Sequence, residues 1–286
     1  MRIFDPHIHM TSRTTDDYER MRDAGVRAVV EPAFWLGQPR TSPDTFADYF
    51  DSLLGWEPYR ASQFGIRHHC TIALNPKEAN DPRCRGVLDL LPRYLAKDGV
   101  VAVGEVGYES MTPDEDEVFR AQLEAAKEFG LPALVHTPHR DKAAGTRRSL
   151  DVVKESGLPP ERVLIGHLNE LTVEMVLESG CWLGFSVYPD TKMDERRMVA
   201  LLQKYGTDRM VVNSAADWGR SDPLKTAKVG VAMLEAGFGE DDVDRVLWRN
   251  PVGFYAQSGR LELSEGEPGA GYAGDEYAGN TVKRGG

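Results

Sequence analysis

A single-domain α/β chain wound as a (β/α)8 barrel is the architecture to expect, for three reasons. Eight short apolar runs rich in valine and isoleucine recur along the chain. Helix-length amphipathic stretches separate them, and the alternation occupies about 255 residues, the usual size of such a barrel. The runs cover 2–8, 27–31, 66–74, 100–106, 132–136, 162–167, 181–187 and 209–213. They carry little period-2 alternation, as expected of parallel strands covered on both faces.

The intervening segments read as helices. Asp114 to Gly130 brings Val118, Leu123, Ala126 and Phe129 to one face, and Leu150 to Ser156, Asp194 to Tyr205 and Pro223 to Glu235 are of similar character. Gly25, Gly130, Gly157, Gly180 and Gly206 each stop a segment just before the next strand, the place where a left-handed C-cap is needed. An open doubly wound sheet would want a glycine-rich phosphate loop after the first strand. None follows, and Gly104-x-x-Gly107 is too short for a dinucleotide fingerprint. The expected layout is a TIM-barrel domain over 1–258 and a flexible tail over 259–286, rich in glycine and acid, with Tyr272 and Tyr277 as its large apolar groups. The loop from Pro32 to about Pro43 is long and carries Phe34, Trp35 and Arg40, which suits a lid or specificity element.

Composition narrows the function. In 286 residues, 34 basic side chains stand against 45 acidic ones, a net charge of -11. A strong general nucleic-acid binder usually carries a basic face instead. The three cysteines, Cys70, Cys84 and Cys181, are far apart and in no metal-like spacing, which fits a reducing compartment. No basic and apolar leader opens the chain, and no apolar run approaches the roughly 18 residues a membrane span requires. A cytoplasmic enzyme is expected, with no membrane partner.

The polar residues at strand ends carry the chemistry. Strand one delivers His7 and His9 at i and i+2, which point to one side of a strand. Strand four ends in Glu105 within Val103-Gly104-Glu105-Val106-Gly107, strand five in His136, strand six in His167, and strand eight leads to Asp217. All stand at C-terminal strand ends, the rim where barrel enzymes assemble their sites. Four imidazoles and two carboxylates form the donor set of a two-metal centre, suited to Zn²⁺ and compatible with Mn²⁺ or Mg²⁺. Glycines beside Glu105 would let the backbone and a metal approach closely. Each ligand also has a structural reading: a salt-bridge acid for Glu105, core histidines for His136 and His167, a helix N-cap for Asp217. His68 and His69 begin strand three and so fall at the opposite, stability face. Glu31, at the end of strand two, either faces the metals or orients a ligand histidine, unless it is structural.

The order His-x-His, Glu, His, His, Asp over strands one, four, five, six and eight resembles the TatD family of metal-dependent hydrolases, within the amidohydrolase superfamily. The likeness covers roughly residues 1 to 255 and includes the Phe-Asp-x-His-x-His opening, Gly-Glu-Val-Gly, and Asn250-Pro251 after the last helix. It implies that His7 and His9 with Asp217 hold one metal, that Glu105 bridges, and that His136 and His167 hold the second. It also implies a substrate-anion contact at Arg140, beside His139. Two departures bear on the substrate pocket and mark a divergent branch: Asn75-Pro76 replaces a family histidine before proline, and Asp217 follows a small-residue turn, Asn213-Ser214-Ala215-Ala216.

The implied function is hydrolysis by an activated water, with Asp217 as proton acceptor and Arg140 or His139 steadying the developing charge. A phosphoester, in a small molecule or a nucleic acid, is the substrate the resemblance favours. Amide or lactone hydrolysis uses the same machinery. A one-metal decarboxylase or lyase and a non-catalytic metal-binding scaffold are the remaining alternatives.

Overall fold

A computed structural model of the chain describes residues 1–35 and 39–263. Eight parallel strands run in the order of the sequence: β1 (Ile3–Asp5), β2 (Val26–Pro32), β3 (Arg67–Ile72), β4 (Val100–Gly107), β5 (Ala133–His136), β6 (Val163–Ile165), β7 (Trp182–Ser186) and β8 (Met210–Asn213). Helices fill the crossovers: α1 (Thr15–Asp23), α2 (Pro43–Asp51) and α3 (Glu57–Ser62), α4 (Leu91–Leu95), α5 (Pro113–Glu128), α6 (Lys142–Ser156), α7 (Val173–Ser179) and α8 (Glu195–Tyr205). After β8 come α9 (Lys225–Glu235), α10 (Glu240–Asp244) and α11 (Asn250–Tyr255). This is the expected (β/α)8 TIM barrel, nearly closed.

Local chemistry sets the helix starts. Thr112 Oγ1 accepts from Glu115 N at 3.2 Å ahead of Pro113, and Asp194 accepts from Arg197 N at 2.8 Å, each satisfying a backbone donor that a helix start leaves open. The helix expected from Leu150 begins eight residues earlier, at Lys142, because a glycine and a threonine in its first turns blur the apolar periodicity.

Two buried clusters hold the barrel. The larger lies between sheet and helices and gathers residues such as Val29, Phe50, Val103, Phe119 and Leu202. The smaller joins Phe4, Val30, Leu134, Leu164 and Val211 with Phe254 and Tyr255 of α11. It draws on strands all round the sheet and is the packed interior of the barrel. Tyr255 donates from there to the Pro6 carbonyl at 2.8 Å. Residues 259–263, assigned from composition to the flexible tail, are bound instead: Leu261 and Leu263 pack on the inner cluster, and Glu262 N donates to His69 Nε2 at 3.4 Å. The rest of the expected tail, 264–286, lies outside the described residues.

β1 is shorter than its apolar run suggests. Pro6 has no N–H to give a ladder, and pairing with β2 stops at Asp5. The chain nevertheless stays between its neighbours: Ile8 N donates to Val30 O at 3.1 Å on one side, and His9 N to Ala216 O at 2.9 Å on the other. Ala215 N returns a bond to His7 O at 2.9 Å, and the buried Asp5 carboxylate accepts from Ser214 N at 3.2 Å. The seam between β8 and β1 is thus closed by a few bonds past the strand ends. Burial pushes the Asp5 carboxyl up to about 7.

Candidate metal centre

The rim brings together five of the residues singled out at strand ends. Glu105 sits within β4, His136 is the last residue of β5, and His167 lies two residues past β6 with φ +59°. His7 and His9 follow β1, their rings 5.2 Å apart and perpendicular. The alternation that aims both inward survives beyond the ladder because the Ile8 backbone bonds β2 while the His7 and His9 backbones bond the β8 extension. Gly104 and Gly107 have a packing reason in β5: a Cβ on Gly104 would lie 2.6 Å from Leu134 Cβ, and one on Gly107 would overlap the His136 carbonyl oxygen.

Glu105 Oε1 is the hub. His7 Nε2 lies 3.4 Å from it, His136 Nδ1 3.4 Å and His167 Nε2 3.1 Å, while Asn75 Nδ2 donates to Oε2 at 3.2 Å. Asn75, at the position where the family carries a histidine before proline, therefore stands against Glu105. The outer nitrogens are steered too. His136 Nε2 meets Glu109 Oε2 at 3.0 Å. The Ser186 hydroxyl donates to Asn213 Oδ1 at 2.8 Å, so it accepts from His167 Nδ1, also at 2.8 Å. That fixes the tautomer and leaves a bare lone pair on His167 Nε2, facing Glu105.

Electrostatics favour neutral donors around an anion. Burial would raise the Glu105 carboxyl, but the surrounding imidazoles outweigh it and hold it well below the usual carboxylate range. Burial pushes His7 down to about 3 and also lowers His9 and His167. His136 is the exception: burial opposes its proton, yet its bonds to Glu105 and Glu109 raise it. Neutral imidazoles with an ionised carboxylate are what a divalent cation binds. Two donor groups close within 4.8 Å, His7 with His9 and Glu105, and Glu105 with His136 and His167. His7 Nδ1 and His9 Nδ1 are buried without a hydrogen-bond partner. The residues fit metal ions.

These groups floor a cleft of about 400 Å³. Asp217 lines it but belongs to neither donor group. Its Oδ1 accepts from Tyr188 OH at 2.8 Å and Gly219 N at 2.9 Å, and the Arg13 guanidinium bonds its carbonyl. The small residues before it have a structural cause: Ala215 takes φ +44° on the cleft floor while bonding the His7 strand. His139 lines the cleft, whereas Arg140 is exposed on the loop after β5 and does not. The cations that do line it are Lys77, Lys192 and Arg220. Phe34 stacks on His9 with ring centroids 3.8 Å apart, and Trp218 stands 6.1 Å from Phe34. Arg40, from the same loop as Phe34, is buried on Glu78 at 2.5 Å and pins the loop.

Glu31, His68 and His69 stay out of the cleft. Glu31 accepts from Thr11 N at 2.8 Å and meets His68 Nε2 at 2.8 Å, which braces the loop after His9. Sequence reasoning missed Glu109, Ser186, Tyr188 and Lys192. The pattern Tyr188-Pro189-Asp190-Thr191-Lys192, a polar loop after the seventh strand, was the available signal for two of them.

Fold and donor set together define a metal-dependent hydrolase built on a barrel. Residues 4–237 match the family described as TatD related DNase, and the chain belongs to that family. An uncharacterized metal-dependent hydrolase of Methanocaldococcus jannaschii is 24% identical over 253 residues, which span 88% of this chain and 99% of that protein. A solved TatD-like protein from Archaeoglobus fulgidus is 27% identical with a TM-score of 0.74, covering 88% of this chain and 99% of its own. An aryldialkylphosphatase of Saccharolobus solfataricus is 26% identical over 183 residues, 54% of this chain and 56% of that one. Among the described residues no helix is long and apolar enough to cross a membrane.

Proposed function

We propose that the protein hydrolyses a phosphoester of a small molecule at a centre of two divalent cations bridged by Glu105, with Zn²⁺ the best match to its nitrogen-rich donors. One observation carries the reading: two donor groups overlap on a single buried carboxylate. His7 and His9 would hold one cation with Glu105, and His136 and His167 would hold the other with the same carboxylate. When bound, such cations polarise the scissile oxygen and lower the pKa of water. The remaining work belongs to side chains. Asp217, its Oδ1 already held by Tyr188 and Gly219, accepts the proton of the attacking water on Oδ2. His139 on the cleft wall steadies the charge that develops on the substrate. Phe34 and Trp218 cover the His9 side and limit water there.

The name of the aryldialkylphosphatase relative supports phosphorus over carbon as the point of attack. The net charge of -11 favours a small substrate over a nucleic acid. Metal analysis should find two equivalents per chain. A panel of phosphomonoesters, phosphodiesters, lactones and single-stranded DNA, run with Zn²⁺, Mn²⁺ and Mg²⁺, should give its highest kcat/KM with a phosphoester. Glu105→Gln and Asp217→Asn should each remain folded and lose at least about 10²-fold in kcat. Full activity in folded Asp217→Asn would remove the proposed base, and preference for a lactone would move the substrate class.

A further inference from the structure

A second cavity, of about 120 Å³, opens beside the metal centre and shares His139, His167, Thr191 and Lys192 with its wall. It lies between the loop after β5 and the loop after β7, and its charged groups are cationic. Lys142, the first residue of α6, faces Lys192 across it, and no aspartate or glutamate lines it. Among the described residues neither ammonium has a carboxylate within 4.0 Å. Lys142 Nζ donates to the carbonyl and hydroxyl of Thr137, at 3.1 and 2.6 Å. Lys192 Nζ lies 3.3 Å from His167 Nδ1, a nitrogen that Ser186 already engages.

An ammonium has three donors, so each lysine keeps at least one to spare. Arg197, also on the wall, is occupied: it pairs with Glu170 at 2.8 and 2.6 Å and donates to the Lys192 carbonyl at 3.0 Å, bracing that loop. Two ammonium groups in one half-buried cavity repel each other and lose hydration. Glu105, Asp217 and Glu109 favour these charges only from outside the annex; no carboxylate on its wall meets them, and an anion seated there would.

We propose that this annex seats a phosphate of the substrate that is not the group attacked. It rests on the hydrolytic reading of the adjacent cleft and sharpens it: the substrate is a small molecule with a terminal phosphate held between Lys142 and Lys192, its reacting bond lying over Glu105, His136 and His167. The match is one of charge and shape. A phosphate monoester carries close to two negative charges at neutral pH and offers three acceptor oxygens, enough for both ammonium groups and the Thr191 hydroxyl together. A carboxylate supplies half that charge in one plane.

The probe is inorganic phosphate, titrated calorimetrically into the metal-loaded protein and again after chelation, since bound cations take phosphate themselves. One phosphate per chain should survive chelation. Lys142→Met and Lys192→Met should each weaken it by about tenfold or more, the loss expected of one charge-assisted contact. Lys142→Arg should keep most of the binding, and an unchanged thermal midpoint in Lys142→Met would show that the fold is intact. Phosphate binding that vanishes on chelation, or that ignores both methionine substitutions, would overturn the proposal. Tighter binding of acetate than of phosphate would overturn the assignment of the anion. No turnover is read, so failure of the hydrolase reading and failure of this one remain separate results.

Discussion

Around Glu105 Oε1 three imidazole nitrogens lie within 3.4 Å, and Asn75 holds the other oxygen. A carboxylate so placed can bridge only if the imidazoles keep their lone pairs turned toward it. Ser186 does this for His167, and Glu109 does it for His136. Glu109 is itself held: Glu115 accepts from the backbone N–H groups of Glu109, Ser110 and Met111, at 3.1, 3.0 and 2.7 Å. The hydrogen bond from His136 Nε2 holds the Glu109 carboxyl down at about 2. Glu109→Gln should therefore weaken metal binding by about tenfold or more, measured by competition with a chelator of known affinity, with little change in thermal stability of the chelated protein. The residues that carry lone pairs were legible in the chain because histidine and acid at strand ends are rare and purposeful. Glu109, Ser186 and Lys192 were not, since an acid, a hydroxyl and a lysine in loops read as ordinary surface polarity until the fold turns them inward.

β4 and β5 set the distance between Glu105 and His136. Gly107 has φ +127°, and a Cβ there would overlap the His136 carbonyl oxygen. Gly107→Ala should cost about 2–3 kcal/mol from strain and overpacking together, read as a lower denaturation midpoint. It should also displace His136, a proposed donor, so metal affinity should fall with stability. All eight strands fall on the apolar runs read from the chain, as parallel strands covered on both faces favour, although β3 buries His68, His69 and Thr71. Their ends were less legible. Pro6 cut β1 to three residues, and the first turns of α6 went unread because Gly145 and Thr146 are poor helix formers. Both losses trace to single residues whose backbone habits conflict with the element around them.

Across the whole barrel, the proposed donors come from β4, β5, the loop after β6 and the extension of β1. Cations bound there would tie distant strands together at the rim. At a free concentration about a hundredfold above the dissociation constant such binding adds about 2.7 kcal/mol, or roughly 5 °C for a domain of this size. Addition of a chelator should lower the thermal midpoint of the wild type by that order. It should move Glu105→Gln far less. An equal shift in both would mean the cations bind elsewhere. The fold class was readable from alternation alone, whereas the docking of 259–263 on the barrel floor was not, because Leu261 and Leu263 stand in a stretch whose composition otherwise reads as solvent-exposed.

The seam between β8 and β1 has a wider meaning. The sheet is a ribbon whose two margins meet beneath the reaction site, with His7 and His9 on one margin and Asp217 on the other. Every other pair of neighbouring strands is registered by a ladder; this pair is registered by Asp5, Ala215 and Ala216. The alignment of the proposed base with its partners is therefore written into the joint where residues 5–9 meet the extension of the last strand, and whatever loosens that clasp moves the base against the imidazoles.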